Sequence, residues 1–288
     1  MNRSLSSRAA MRFARWFLTI LVLGAVAPLG ARSLPAPLQV DIPSDGGVLR
    51  GELYRPEAGG PVGVVIAMHG CGGLGTATEP VLARYHDWAG VLVENGYAVL
   101  LPDSYGSREL GPQCRVRMPA IRARRERVAD ILAARQWLLE QPWVNRDRIS
   151  LLGWANGASA VLWAVRPQLV SPVSPPDFRS AIAFYPDCRI SAQLGWSARV
   201  PTLLLIGARD DVSSPAACRQ VIEGAKGRSA LARLQLYPAA AHDFDVPNLP
   251  FHALNESDEA RPLTKGHIGT DIEARTDAER RVLAWLAR

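Results

Sequence analysis

The chain has 288 residues, 48% of them hydrophobic and 21% charged, which is enough apolar material for one sizeable core and too little charge density for a disordered chain. Its formal net charge is +6, but Arg3, Arg8, Arg12 and Arg15 all fall in the first 31 residues. Without that segment the 33 basic residues drop to 29 against 27 acidic ones, which removes the electrostatic case for nucleic-acid binding.

Residues 1–31 have the three-part layout of a secretory signal: arginines without an acid, an apolar run from Trp16 to Leu23, then small residues to Ala31. No Arg-Arg pair is present in this segment, so a Sec-type route is expected rather than a twin-arginine one. The apolar run is short for a membrane span. Cleavage is expected near Ala31, because Pro28 would sit badly just after Ala25-Val26-Ala27. An uncleaved anchor is the alternative, and the only expected link to a membrane. The remainder, residues 35–288, reads as a single secreted or periplasmic domain.

That domain alternates strands and helices. "LQVDIP" and "GVLRGELYRP" are two short strands around Gly46-Gly47, an antiparallel start. "VGVVIAM", Val62 to Met68, is a continuous apolar run, the pattern of a strand buried on both faces. A helix is expected from about Thr78, with Val81, Tyr85, Trp88, Ala89, Leu92 and Val93 at helical spacing, ending at Gly96. "YAVLLPD" is the next buried strand. A helix is expected from about Pro119 to Glu140, and the arginines from Arg115 to Arg127, with Glu126 and Asp130, read as its solvated face. "RISLLG" is a strand and "NGASAVLWAV" a helix; "RPQLVSPVSPPDF" is a loop. "SAIAFYP", "VPTLLLIG" and "ARLQLYP" are strands, with a short helix from about Pro215. Asn248 to Thr270 has no clear period. Thr276 and Glu279 suggest a capping box for a closing helix. The expected fold is therefore α/β, a mostly parallel sheet of about eight strands covered on both faces, with ligands at the carboxyl ends of the strands.

The chemistry-bearing residues fall at those strand ends. In "LLGWANGAS" the glycines Gly153 and Gly157 frame Ala155 as G-x-S-x-G frames the nucleophile of a strand-to-helix elbow. His242, just after the last long strand, is placed to act as a general base. Asp210, with Asp211 as the alternative, follows a buried strand and can orient that histidine; a helix cap is the other job for one of the two. In "HGCGG" the backbone N–H of Cys71 can join that of Asn156 as an oxyanion donor pair, with His69 bracing the loop. Cys71, Cys114, Cys188 and Cys218 form no C-x-x-C pair, so no metal site is expected.

The order nucleophile position, acid, histidine is that of α/β-hydrolases. From about Leu38 onward, "HGCGGLG", "LLPDSYG", "LLGWANG", "LIGARDD" and "YPAAAHDFD", taken together, resemble the dienelactone hydrolase family. The resemblance implies hydrolysis of small esters or lactones through a covalent acyl-enzyme, with no cofactor. The chain departs from it twice. It has alanine where family members carry Ser or Cys, and "HGCGG" lacks the carboxylate that accompanies a cysteine nucleophile.

Ala155 leaves three readings open: an introduced replacement, a natural ligand-binding or interaction protein on a hydrolase scaffold, or chemistry by another group. Cys71 and Ser159 are poor substitutes, whereas a water activated by His242 would give residual activity at best. The cysteines lie in loops after strands expected to be neighbours, so the pairs Cys188–Cys218 and Cys71–Cys114 are expected in an exported protein. The second pair would remove Cys71 as a nucleophile.

Overall fold

The computed structural model describes residues 34–57, 59–114, 116, 119–167, 176–254 and 266–288. The expected signal segment, most of the Pro-rich loop and the middle of the 248–270 segment lie outside them.

The chain opens with β1 (Leu38–Ser44) and β2 (Gly47–Tyr54), which form an antiparallel hairpin. β3 (Val62–Met68), β4 (Tyr97–Pro102), β5 (Val144–Trp154), β6 (Ala181–Phe184), β7 (Thr202–Gly207) and β8 (Ala232–Tyr237) run parallel, and β4 joins the hairpin through an antiparallel pairing with β2. The eight-stranded sheet has the order β1-β2-β4-β3-β5-β6-β7-β8. β4, β6 and β7 are buried along their whole length, so both faces are covered and the apolar runs need no alternation. Helices α1 (Ala83–Glu94), α2 (Glu126–Leu139), α3 (Asn156–Ala164), α4 (Arg189–Gln193), α5 (Pro215–Ala225) and α6 (Ile272–Leu286) supply the cover. α2 packs on α3, and Arg275 of α6 pairs with Asp87 of α1 at 2.6 Å.

Three helix starts differ from expectation, each because side chains hold a turn instead. α1 begins at Ala83, not near Thr78, since the Thr76 hydroxyl accepts the Glu79 N–H (3.0 Å) and the Leu82 N–H turns back to Leu74 O. α2 begins at Glu126, not Pro119, because the Glu126 carboxylate takes the Arg122 backbone N–H (2.8 Å) as well as its guanidinium. α6 is capped by Asp271, whose carboxylate accepts the Ala274 N–H (2.9 Å). Thr276 and Glu279 are therefore inside the helix and make no capping box: the threonine hydroxyl donates to Ile272 O and Glu279 pairs with Arg275.

The aperiodic 248–270 segment contains one short antiparallel pair, β9 (His252–Ala253) with β10 (His267–Ile268). Among the described residues no helix is long and apolar enough to cross a membrane.

Candidate active site

β5 runs into α3 through Ala155, whose φ of 47° and ψ of −110° are costly for any residue with a β-carbon. Its N–H donates to Phe184 O (3.0 Å) and its carbonyl accepts the Ser159 N–H (2.9 Å). The flanking glycines answer to close approach. A β-carbon at Gly153 would lie 2.6 Å from the carbonyl carbon of Gly157, and one at Gly157 would lie 2.1 Å from Met68 O. Residue 155 is thus held at the wall of a cavity of about 520 Å³, together with Cys71, Arg84, Asn156, His242 and Asp243. What it presents there is a methyl group.

The histidine reaches the same cavity from the other side. β7 ends at Gly207, where a β-carbon would lie 2.1 Å from Ala240 O. That close approach carries the turn after β7 against the turn after β8. His242 Nδ1 then stands 2.8 Å from Asp210 Oδ2, both residues buried. The other Asp210 oxygen accepts the N–H groups of Val212 (3.0 Å) and Ser213 (2.7 Å). A carboxylate so fixed selects the tautomer with Nδ1–H donating, which makes Nε2 the basic nitrogen. Asp211 faces elsewhere: it accepts the His267 backbone N–H (2.7 Å) and lies 2.8 Å from His267 Nδ1. Burial pushes the Asp211 carboxyl up, but the contacts from His267 outweigh it and hold the group below its ordinary range.

Cys71 and Asn156, whose backbone N–H groups were expected as a donor pair, both line this cavity. Asn156 opens α3, where an N–H has no intrahelical acceptor. The Cys71 N–H makes no hydrogen bond among the described residues. The Cys71 loop is braced on every side: the Gly70 N–H donates to the Tyr85 hydroxyl (2.8 Å), and the Gln113 N–H donates to Cys71 O (2.8 Å). His69 is fully buried; its Nε2 accepts the Ser104 N–H (3.1 Å) and its Nδ1 lies 2.7 Å from Gly70 O. Burial, reinforced by the Arg127 charge, pushes the His69 imidazolium well below its ordinary pKa, so this ring is a neutral brace. Disulfides join Cys71 to Cys114 and Cys188 to Cys218, with Cα separations of 4.9 and 5.0 Å. All four cysteines are used, and Cys71 has no thiol to attack with. Ser159 is engaged too: its hydroxyl donates to Ala155 O (3.1 Å) and accepts the Asp187 N–H (3.0 Å).

Several site residues lie outside the sequence reading. Arg84 pairs with Asp243 at 2.6 Å, and Asp243 Oδ1 stands 3.9 Å from His242 Nε2. Burial alone would weaken the Arg84 cation, but Asp243 above all holds it charged. Asp245 is fully buried and accepts from the indole N–H groups of Trp88 (2.8 Å) and Trp154 (2.7 Å) and from the Tyr185 hydroxyl (2.5 Å); the Tyr185 ring lies over His242, centroids 4.4 Å apart. Arg127 and Asp130, expected on a solvated face, are 0% and 1% exposed. They face the loops that carry the site, where Arg127 finds the Asn156 side chain (2.9 Å) and Asp130 finds Arg108 (2.6 Å). Among the described arginines of that cluster, Arg124 and Arg125 are exposed and Arg122 is half-buried. In "HDFD" and at Arg84 the signal was charge inside an apolar context, which periodicity counts as noise. Among the described residues no group of three or more His, Cys, Asp or Glu is placed to hold a metal ion.

The family model for the dienelactone hydrolase family matches residues 49–288. A search of the curated proteins finds no match. Among solved structures, a dienelactone-hydrolase-like promiscuous phosphotriesterase from metagenomic libraries superposes with a TM-score of 0.67 at 17% identity, covering 88% of this chain and 98% of its own. The dienelactone hydrolase of Anabaena variabilis gives 0.61 at 20% identity, with the same coverage. Esterase 2 of Thermogutta terrifontis, phosphorylated by paraoxon, gives 0.58 at 16% identity, covering 86% of this chain and 92% of its own. At these identities the structural likeness establishes the fold.

Proposed function

The chain belongs to the dienelactone hydrolase family, and on that premise we propose that it carries a carboxylic ester or lactone site with acid, base and oxyanion donors in place and the nucleophile missing. The supporting observation is the buried 2.8 Å contact of His242 Nδ1 with Asp210 Oδ2, formed in the cavity that the methyl of Ala155 also lines. Asp210 orients the imidazole and stabilises its cation, and the N–H groups of Cys71 and Asn156 receive the carbonyl oxygen.

The reaction left to such a site is direct attack by water. The water oxygen bonds to the ester carbonyl carbon as its proton passes to His242 Nε2. The resulting oxyanion is held by the two N–H groups. Its collapse breaks the bond to the leaving alkoxide, which takes the proton from His242. Loss of a triad nucleophile costs roughly a millionfold in turnover, while oxyanion donors and binding retain about a thousandfold over water. The two disulfides support an oxidising compartment as the place of action, in keeping with an exported chain. The second reading is a non-catalytic binding protein for the same ester or lactone ligands, favoured by the absence of any hydroxyl or thiol at residue 155.

Ala155→Ser separates the two. Poised machinery gives a gain of roughly a thousandfold or more on short p-nitrophenyl esters, and the new serine is labelled by a fluorophosphonate. A folded Ala155→Ser protein with neither gain nor label would leave only the binding reading.

A further inference from the structure

A fully buried arginine stands behind the oxyanion donors, and the reaction scheme has no use for it. Arg127 is 0% exposed. Its Nη1 donates to Asn156 Oδ1 (2.9 Å), and the Tyr105 hydroxyl donates to the same oxygen (3.2 Å). Its guanidinium lies over the Tyr105 ring, 5.2 Å from the centroid, and Nε makes a long contact with the Ser104 hydroxyl (3.4 Å). Nη2 is buried without a hydrogen-bond partner among the described residues.

Burying a guanidinium costs several kcal/mol unless a charge answers it. No carboxylate among the described residues lies within ion-pair distance of Arg127. Asp130, three residues further along α2, is committed to Arg108 through two contacts of 2.6 and 3.1 Å. His69 is neutral, and Asp103, 3.8 Å from His69 Nε2, is turned to the N–H groups of Tyr105 (3.2 Å) and Gly106 (2.8 Å). Of these charges, Arg127 is the one in contact with Asn156, while Asp103 and Asp130 are held by other donors. That arrangement is favourable when negative charge develops on the other side of Asn156.

Building on the oxyanion pair proposed above, we propose that Arg127 is a positioning residue for it. Through Oδ1 it holds Asn156 at the start of α3, so that the Asn156 N–H stays aimed into the cavity. Its charge, nearer to Asn156 than any carboxylate of that layer that the contacts show, polarises a bound carbonyl toward the oxyanion.

Because the Ala155 protein turns over slowly, it can hold an ester long enough for vibrational spectroscopy. The test is the carbonyl stretch of bound p-(dimethylamino)cinnamoyl methyl ester, measured with its affinity in the parent, Arg127→Met, Arg127→Lys and Asn156→Ala. The stretch shifts down on binding to the parent. Arg127→Met loses at least half of that shift while affinity stays within about threefold, and Arg127→Lys recovers part of it. Asn156→Ala keeps the backbone N–H but loses the contact with Arg127, and it also loses shift; it covers the case in which Arg127→Met fails to fold. In the Ala155→Ser background, Arg127→Met lowers kcat by about ten- to a hundredfold with little change in KM, less than the loss of a direct oxyanion donor. A full shift retained by Arg127→Met and Asn156→Ala overturns this inference alone. An ester that fails to bind the parent, or binds with no shift, overturns the oxyanion pair and this inference with it.

Discussion

Replacing Ala155 with glycine should stabilise the protein. The elbow conformation, φ 47° and ψ −110°, costs about 1–3 kcal/mol for a residue with a β-carbon and little for glycine. The geometry will persist in the variant, because it is fixed by backbone bonds to Phe184 O and from Ser159 N–H and not by the methyl. Two terms oppose the gain. Glycine adds unfolded-state freedom worth about 0.4–1 kcal/mol, and losing a half-buried methyl costs roughly 0.5 kcal/mol. Taking about 2 kcal/mol for the strain leaves a net gain near 1 kcal/mol, or about 2–4 °C in Tm for a domain of this size. Thermal and urea unfolding with the disulfides intact would measure it, alongside residual esterase activity, which should not change because the methyl supplies no reacting atom. Ala155→Gly melting at or below the parent would refute the strain argument.

Two further outcomes follow from the charged neighbours. In the Ala155→Ser background, Asp210→Asn should cost about 10⁴ in kcat by reversing the imidazole tautomer, whereas Asp211→Asn, which faces His267 instead, should stay within a fewfold; equal losses would mean the two aspartates share the task. For pH, the sign is set by His69. Unfolded, it takes a proton near pH 6.5; folded, burial holds its pKa well below that. Between those values the unfolded state binds more protons, so stability falls as pH drops below about 6.5, by up to about 1.4 kcal/mol per unit from this group. His69→Asn should show a shallower loss of unfolding free energy from pH 7.5 to 5 than the parent, and parallel curves would exclude the effect.

The strands were legible because burial on both faces writes itself as uninterrupted apolar residues, as in "VGVVIAM" and "TLLLIG". The meeting of Ala155 and His242 at one cavity, the contact of His242 with Asp210 and the cysteine pairs were legible because the fold returns strand ends to one edge in a fixed order. Three helix starts were not, although those of α3 at Asn156 and α5 at Pro215 were. Thr76, Glu126 and Asp271 each decide a boundary through one hydrogen bond, and a sequence offers several equivalent side chains nearby for each. The sequence favoured Asp210 but kept Asp211 as the alternative, because one residue of rotation decides which reaches His242; Asp210 goes there and Asp211 to His267.

The failure at α2 has a more general cause. Helical periodicity assigns charge to the solvent side, yet Arg127 and Asp130 are buried on α2, as is Arg135 further along against Phe178. An ordinary core helix would gain by replacing such groups with apolar ones of similar size. The arrangement is economical only if the buried charge acts on something. What lies beside it is the start of α3, reached through Asn156, and the Cys71 loop, reached through Ser104 and His69. The charge of Arg127, through Asn156, and the strain at Ala155 meet at the start of α3, beside the cavity that His242 lines. Neither lowers the energy of the folded chain by itself, and on the proposed function the charge of Arg127 becomes favourable when a carbonyl oxygen in the cavity turns negative. If the proposed function holds, one hydroxyl at residue 155 should be enough to engage these features.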